Sequence, residues 1–166
     1  MDAIGLTNLV SHLNRGEDFT GKAIDAPTSF YVGVAVNPSA DDLDLEIDRF
    51  RQKVDAGARF AMTQALFDLT FLDRFLDRIG DPPIPLLVGI WPLTSYQLAF
   101  RIHNEVPGII IPEPIQQRLA DAGAGARAVG FELVRELIEG SRSRAAGIYV
   151  IPPFKEPDAA LELLLP

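Results

Sequence analysis

The chain has 166 residues, 15 Lys and Arg against 23 Asp and Glu, a net charge of −8, 48% hydrophobic residues and no cysteine. At roughly 100–150 residues per domain this length allows one domain, and the apolar share argues against a disordered chain. The acidic balance disfavours nucleic acid as a partner, and the missing cysteines exclude disulfides, thiolate metal sites and thiol nucleophiles.

The opening residues MDAIGLTNLV show no basic region ahead of a long apolar core, so no signal peptide is expected. Ile4–Leu13 reads as a helix, and Asn14–Thr28 as a long polar loop. Ser29–Val36 (SFYVGVAV) is the first of four short, nearly continuous apolar runs, the pattern of parallel strands covered on both faces. Leu43, Ile47, Phe50 and Val54 then form one stripe of a helix, with Asp41 and Asp42 at its cap and Gly57 at its end.

Arg59–Gln64 reads as the second strand, and Leu72, Phe75, Leu76 and Ile79 mark a helix between Asp68 and Gly80. Pro85–Trp91 reads as the third strand. It lies in the most apolar stretch, Ile84–Leu93, which is far below the ~20 residues of a membrane span. A helix starting near Ser95 carries Leu98 and Ile102, and Asn104–Pro112 reads as a structural connection. A second helical run holds Leu133, Val134, Leu137 and Ile138, followed by a strand at Gly147–Ile151 and a helix at Asp158–Leu164. Helices alternating with short apolar strands predict a parallel α/β sheet. A closed (β/α)₈ barrel takes about 250 residues and eight strands, so four strands with a helix in front suggest a barrel cut in the middle.

Candidate chemistry gathers where strands end. Glu46, Arg49 and Lys53 share one helix face beside the segment Asn37-Pro38-Ser39-Ala40. Their spacing reads as a solvated ion-paired face, with a phosphate site as the alternative. Gln64 ends the second strand and offers two donors and an acceptor, suited to a heterocycle edge or to a plain strand end. Trp91 reads as core or as the wall of a planar ligand. Lys155, after the last strand, is placed to meet a carboxylate. His12 and His103 each lack a second histidine nearby, so no metal site is expected. No GxGxxG, Walker or GxSxG pattern occurs.

The ordered set VAVNPSA, KVDAGARFAMTQALFD, GIWPLTSYQLAF and HNEVPGIIIPEP resembles the C-terminal part of methylenetetrahydrofolate reductase. NEVPGIIIPEP and GIYVIPPF are most similar to the reductase half of bifunctional homocysteine S-methyltransferase/methylenetetrahydrofolate reductase proteins. The resemblance implies strands five to eight of a TIM-type (β/α)₈ barrel, residues 1–166 forming a partial reductase domain without its N-terminal half. It implies FAD as cofactor, NAD(P)H as electron donor and a folate substrate, within one-carbon and methionine metabolism, and the absence of cysteine, signal peptide and membrane span in the sequence suggests a soluble, cytoplasmic chain.

On that resemblance Asn37, Ala40, Glu46, Arg49 and Lys53 contact FAD, while Gln64 and Lys155 contact folate. Asn37 stands where the family often has His, Leu98 where it has a folate-binding Gln, and Lys155 where it often has Arg. The family's catalytic glutamate lies on its first strand, which leaves no catalytic acid in this chain. The expected partners are a complementary N-terminal half or a second copy of the chain. A non-catalytic half-barrel that self-associates is the alternative. Neither nucleic acid nor membrane is an expected partner.

Overall fold

The structure is a computed structural model that describes residues 1–152 and 158–164. Those residues form four strands and seven helices: α1 (Ala3–Asn14), β1 (Gly33–Val36), α2 (Leu43–Asp55), β2 (Phe60–Ala65), α3 (Leu69–Ile79), β3 (Leu86–Ile90), α4 (Tyr96–Glu105), α5 (Glu113–Ala122), α6 (Ala126–Ser141), β4 (Gly147–Val150) and α7 (Asp158–Leu164). The sheet is parallel throughout, and its spatial order β1-β2-β3-β4 follows the chain.

Local chemistry fixes the helix starts. Asp2, Asp42, Asp68 and Ser95 each accept a hydrogen bond from a backbone N–H of the first turn. At α2 the cap is Asp42, one of the two residues expected there. Gly57, at φ +110°, lets the chain leave α2 for β2.

One sheet face is the core. Val34, Val36, Ala61, Val88 and Ile90 point at α2, α3 and α6 and pack with Ile47, Phe50, Phe75 and Val134. Phe50 and Phe75 meet edge to face at 5.7 Å between centroids. A second cluster lies beyond the C-terminal ends of β2 and β3, where Ala65 and Leu93 meet Ala99, Ile102, Ile109, Ile111 and Leu119. The opposite face carries Gly33, Ala35, Phe60, Met62, Gln64 and Leu87, all partly or fully exposed.

The sequence reading differs from the structure in two places. Three strands are shorter than expected, most clearly β1, where 29–32 precede the ladder, and β2 keeps its expected length but begins and ends one residue later. A third helix, α5, stands between β3 and β4, where two helices were expected. Its signal was present: Pro114 in the first turn and the apolar set Ile115, Leu119 and Ala122. The preceding run of Pro and Ile read as connection and masked the start.

Candidate functional site

The C-terminal ends of β1 and β2 gather most of the predicted residues. Asn37 directly follows β1, and its backbone N–H donates to Glu46 Oε1 at 3.0 Å. Its side-chain amide donates to the Gly108 carbonyl at 2.9 Å, and its Oδ1 accepts from the Ser39 N–H at 3.1 Å and the Ser39 hydroxyl at 2.8 Å. Ala40 N–H donates to Asn37 O at 3.1 Å, closing a turn at the strand end.

Gly108 belongs to the segment between α4 and α5, read from sequence as a bare connection. The structure folds that segment back over the site by 71 residues of sequence separation. Gly108 has φ +80°, and a Cβ there would lie 3.0 Å from Asn37 Nδ2, so glycine permits both the turn and the contact. Ile109 and Ile111 beneath it are buried, and the Ile111 N–H donates to His103 Nδ1 at 3.2 Å. His103 is thus a structural acceptor, and His12 Nδ1 lies 3.1 Å from Glu17 Oε2. Among the described residues no group of three or more His, Asp or Glu side chains is arranged to hold a metal.

Lys53 and Glu46 are an internal pair rather than a solvated face. Lys53 is 6% exposed, and its ammonium donates to Ala35 O at 2.7 Å and lies 3.7 Å from Glu46 Oε1. Residues of β1 alternate between the β2 side and the free side. Val32 O accepts from Arg59 N–H, while Ala61 N–H turns away to Pro85 O. The Ala35 carbonyl therefore faces the unpaired edge of the sheet, and Lys53 caps it. Arg49, one turn back, is half-buried and ion-paired at 3.6 Å with the exposed Asp2.

Gln64 is exposed on the open sheet face at the end of β2, next to buried Thr63. Trp91 packs against the cluster beyond the strand ends, in keeping with the core reading. Lys155 lies outside the described residues. Two contacts that the sequence reading missed, Gly108 to Asn37 and Tyr149 to Thr63 O at 2.5 Å, cross between elements far apart in the chain. Glycines at 89 and 108 were the available hint.

Among the described residues no helix is long and apolar enough to cross a membrane. Residues 4–149 match the methylenetetrahydrofolate reductase family. Methylenetetrahydrofolate reductase 2 of Saccharomyces cerevisiae is 30% identical over 124 residues, covering 66% of this chain and 20% of the yeast protein. Methylenetetrahydrofolate reductase 1 of Schizosaccharomyces pombe is 31% identical over 117 residues, covering 65% and 19%. The Escherichia coli 5,10-methylenetetrahydrofolate reductase is 28% identical, with 63% and 36% covered. This chain thus spans about a fifth of the yeast relatives and about a third of the bacterial one. A Clostridium thermocellum protein described as binding two copies of 5-methyl-5,6,7,8-tetrahydrofolic acid shares the fold at TM-score 0.52 and 18% identity, covering 84% of this chain and 53% of that one. The chain belongs to the methylenetetrahydrofolate reductase family.

Proposed function

We propose that this chain is the C-terminal four-stranded half of a reductase barrel that converts 5,10-methylenetetrahydrofolate to 5-methyltetrahydrofolate with FAD and NAD(P)H, in the cytoplasm. The single observation that carries the reading is a parallel sheet in sequential order, covered by helices on one face, with Gln64 exposed on the other at a strand end. Sequential parallel order with a free inner face is what half of a closed barrel presents, and barrel sites sit at the C-terminal ends of strands.

The donor set fits a phosphate-bearing cofactor at one place. Arg49 carries a guanidinium on the partly exposed side of α2, held by the weak, exposed pair with Asp2. Lys53 donates to Ala35 O, lies within ion-pair range of Glu46 and stands behind Arg49 as a fixed positive charge. Arg49, with Asn37, Ala40, Glu46 and Lys53 shaping the strand end, would hold FAD. Bound there, FAD supplies two-electron transfer between the nicotinamide and folate. Gln64 would read the edge of the folate heterocycle, and Lys155 the carboxylate of its glutamate tail.

The proton donor comes from the complementary half, because acid catalysis typically supplies roughly 10²–10⁴-fold and this chain carries no family acid. The test is NAD(P)H-dependent reduction of methylenetetrahydrofolate by the chain alone and by the chain mixed with the first four strand segments of a family member. Activity confined to the mixture is the expected result. An inert mixture that nonetheless forms a stable complex overturns the reductase reading.

One observation favours the second reading, a non-catalytic half that self-associates. The free edge of β1 is flanked by an apolar groove of about 380 Å³ between Leu6, Val10, Phe30 and Tyr31. Tyr31, 68% exposed, stacks on Phe60 at 5.6 Å. Such an edge and patch favour pairing with another sheet. A flavin-free homodimer in sedimentation would support it.

A further inference from the structure

The ladder between β2 and β3 is regular up to Met62, which pairs with Leu87, but the next pair is Ala65 with Gly89. Three steps along β2 thus match two along β3, which is a β-bulge of one residue at Thr63-Gln64. Bulges recur beside functional sites, and here the irregular stretch of backbone is the one that carries Gln64. The extra residue disturbs ladder bonding, so the groups at the bulge need other partners.

They find them in an unusual way. The Gly89 N–H donates to the Thr63 hydroxyl at 2.9 Å, and that hydroxyl donates to Gln64 O at 2.7 Å. The Thr63 carbonyl accepts from the Tyr149 hydroxyl at 2.5 Å, across 86 residues of chain. Tyr149 is on β4, so its side chain crosses β3 to reach β2. The crossing exists because residue 89 is glycine: a Cβ there would lie 2.5 Å from Tyr149 Oη and 2.7 Å from Cζ. Burial pushes the Tyr149 phenol above its ordinary pKa, keeping the hydroxyl a donor at neutral pH.

The geometry points to Tyr149 as a positioning residue: by holding the Thr63 carbonyl it fixes the bulge that aims the Gln64 amide at folate. This inference rests on Gln64 being the folate contact. A tyrosine that merely fills space over Gly89 could be replaced by phenylalanine with no effect on Gln64, so the hydroxyl separates the two roles.

The experiment is a double-mutant cycle on the full chain, with Gln64→Ala, Tyr149→Phe and both together, titrated with 5-methyltetrahydrofolate. It is accompanied by thermal melts and by the Gln64 side-chain amide signals in a ¹H–¹⁵N spectrum. Tyr149→Phe is expected to weaken binding by about 3- to 10-fold in the parent and to add nothing once Gln64 is Ala. It is also expected to shift the Gln64 amide signals in the absence of ligand. An equal loss in both backgrounds would mean a structural role alone and overturn the inference. If Gln64→Ala leaves binding unchanged, or the parent binds neither alone nor with the complementary half, the folate-contact reading fails. The amide signals then decide the positioning claim, and unchanged Gln64 signals in Tyr149→Phe overturn it.

Discussion

The Lys53 ammonium donates to the Ala35 carbonyl at 2.7 Å, on the one side of β1 that has no neighbouring strand. A charged side chain thereby occupies one lone pair of an acceptor on the sheet edge, and the second lone pair stays open to a donor from a further strand. The same ammonium lies 3.7 Å from Glu46, which in turn accepts from Asn37 N–H. Edge, helix and strand end are one connected network.

Removing that charge has a defined consequence. Lys53→Met keeps the stem but leaves Glu46 and the Ala35 carbonyl without their partner. Chemical denaturation should show a loss of about 1–3 kcal/mol. Unchanged stability would mean the network is incidental. Lys53→Glu sets a second carboxylate beside Glu46 and should be worse than Lys53→Met.

Gly130 makes a sharper test of packing. A Cβ there would lie 1.7 Å from the Leu93 carbonyl oxygen, a backbone atom that cannot swing aside. Gly130→Ala is therefore expected to cost about 3 kcal/mol despite the better helix propensity of alanine. A variant as stable as the parent in urea would show that α6 can move away from the loop after β3.

Much of this architecture was legible in the sequence. Leu43, Ile47, Phe50 and Val54 marked α2, and the apolar runs around Val34, Ala61, Val88 and Ile148 marked the four strands, because periodicity records which face is buried. The site was less legible. Gln64 could be singled out as a polar residue at a strand end, but its neighbours depend on contacts made over long sequence separations. Nothing in the spacing of Asn37 and Gly108 announces a hydrogen bond between them. Spacing alone favours a solvated Lys53 because it tells which helix face the residue shares with Glu46 and not what covers that face.

The Asn37–Gly108 contact predicts a change in local motion. Asn37→Ala removes a donor to Gly108 O and an acceptor for Ser39, each worth about 1 kcal/mol. Amide exchange of Gly108 and Ile109 should accelerate while that of β2 and β3 stays slow. Equal acceleration in the sheet would show global destabilisation instead of a released loop.

Tyr149 gives the pH prediction. Burial raises its folded pKa above the unfolded value of about 10. The contribution to stability is complete below about pH 10 and is lost as pH rises through the raised folded value. The parent should thus lose more stability as pH rises above about 10 than Tyr149→Phe, whose phenyl ring does not titrate. Parallel losses in the two proteins would show that other groups set the alkaline limit.

The central claim, that the strand ends of this chain form part of a flavin and folate site, is tested most directly by visible absorption. The chain and its Arg49→Glu variant are incubated with FAD, alone and with the complementary half, and desalted. Arg49 is half-buried in a single ion pair with the exposed Asp2, so the variant should melt within about 1 kcal/mol of the parent. A flavin band retained by the parent and lost by Arg49→Glu is the predicted result. A folded, soluble parent that retains no flavin even in the complex, or equal bands in both proteins, would contradict the account.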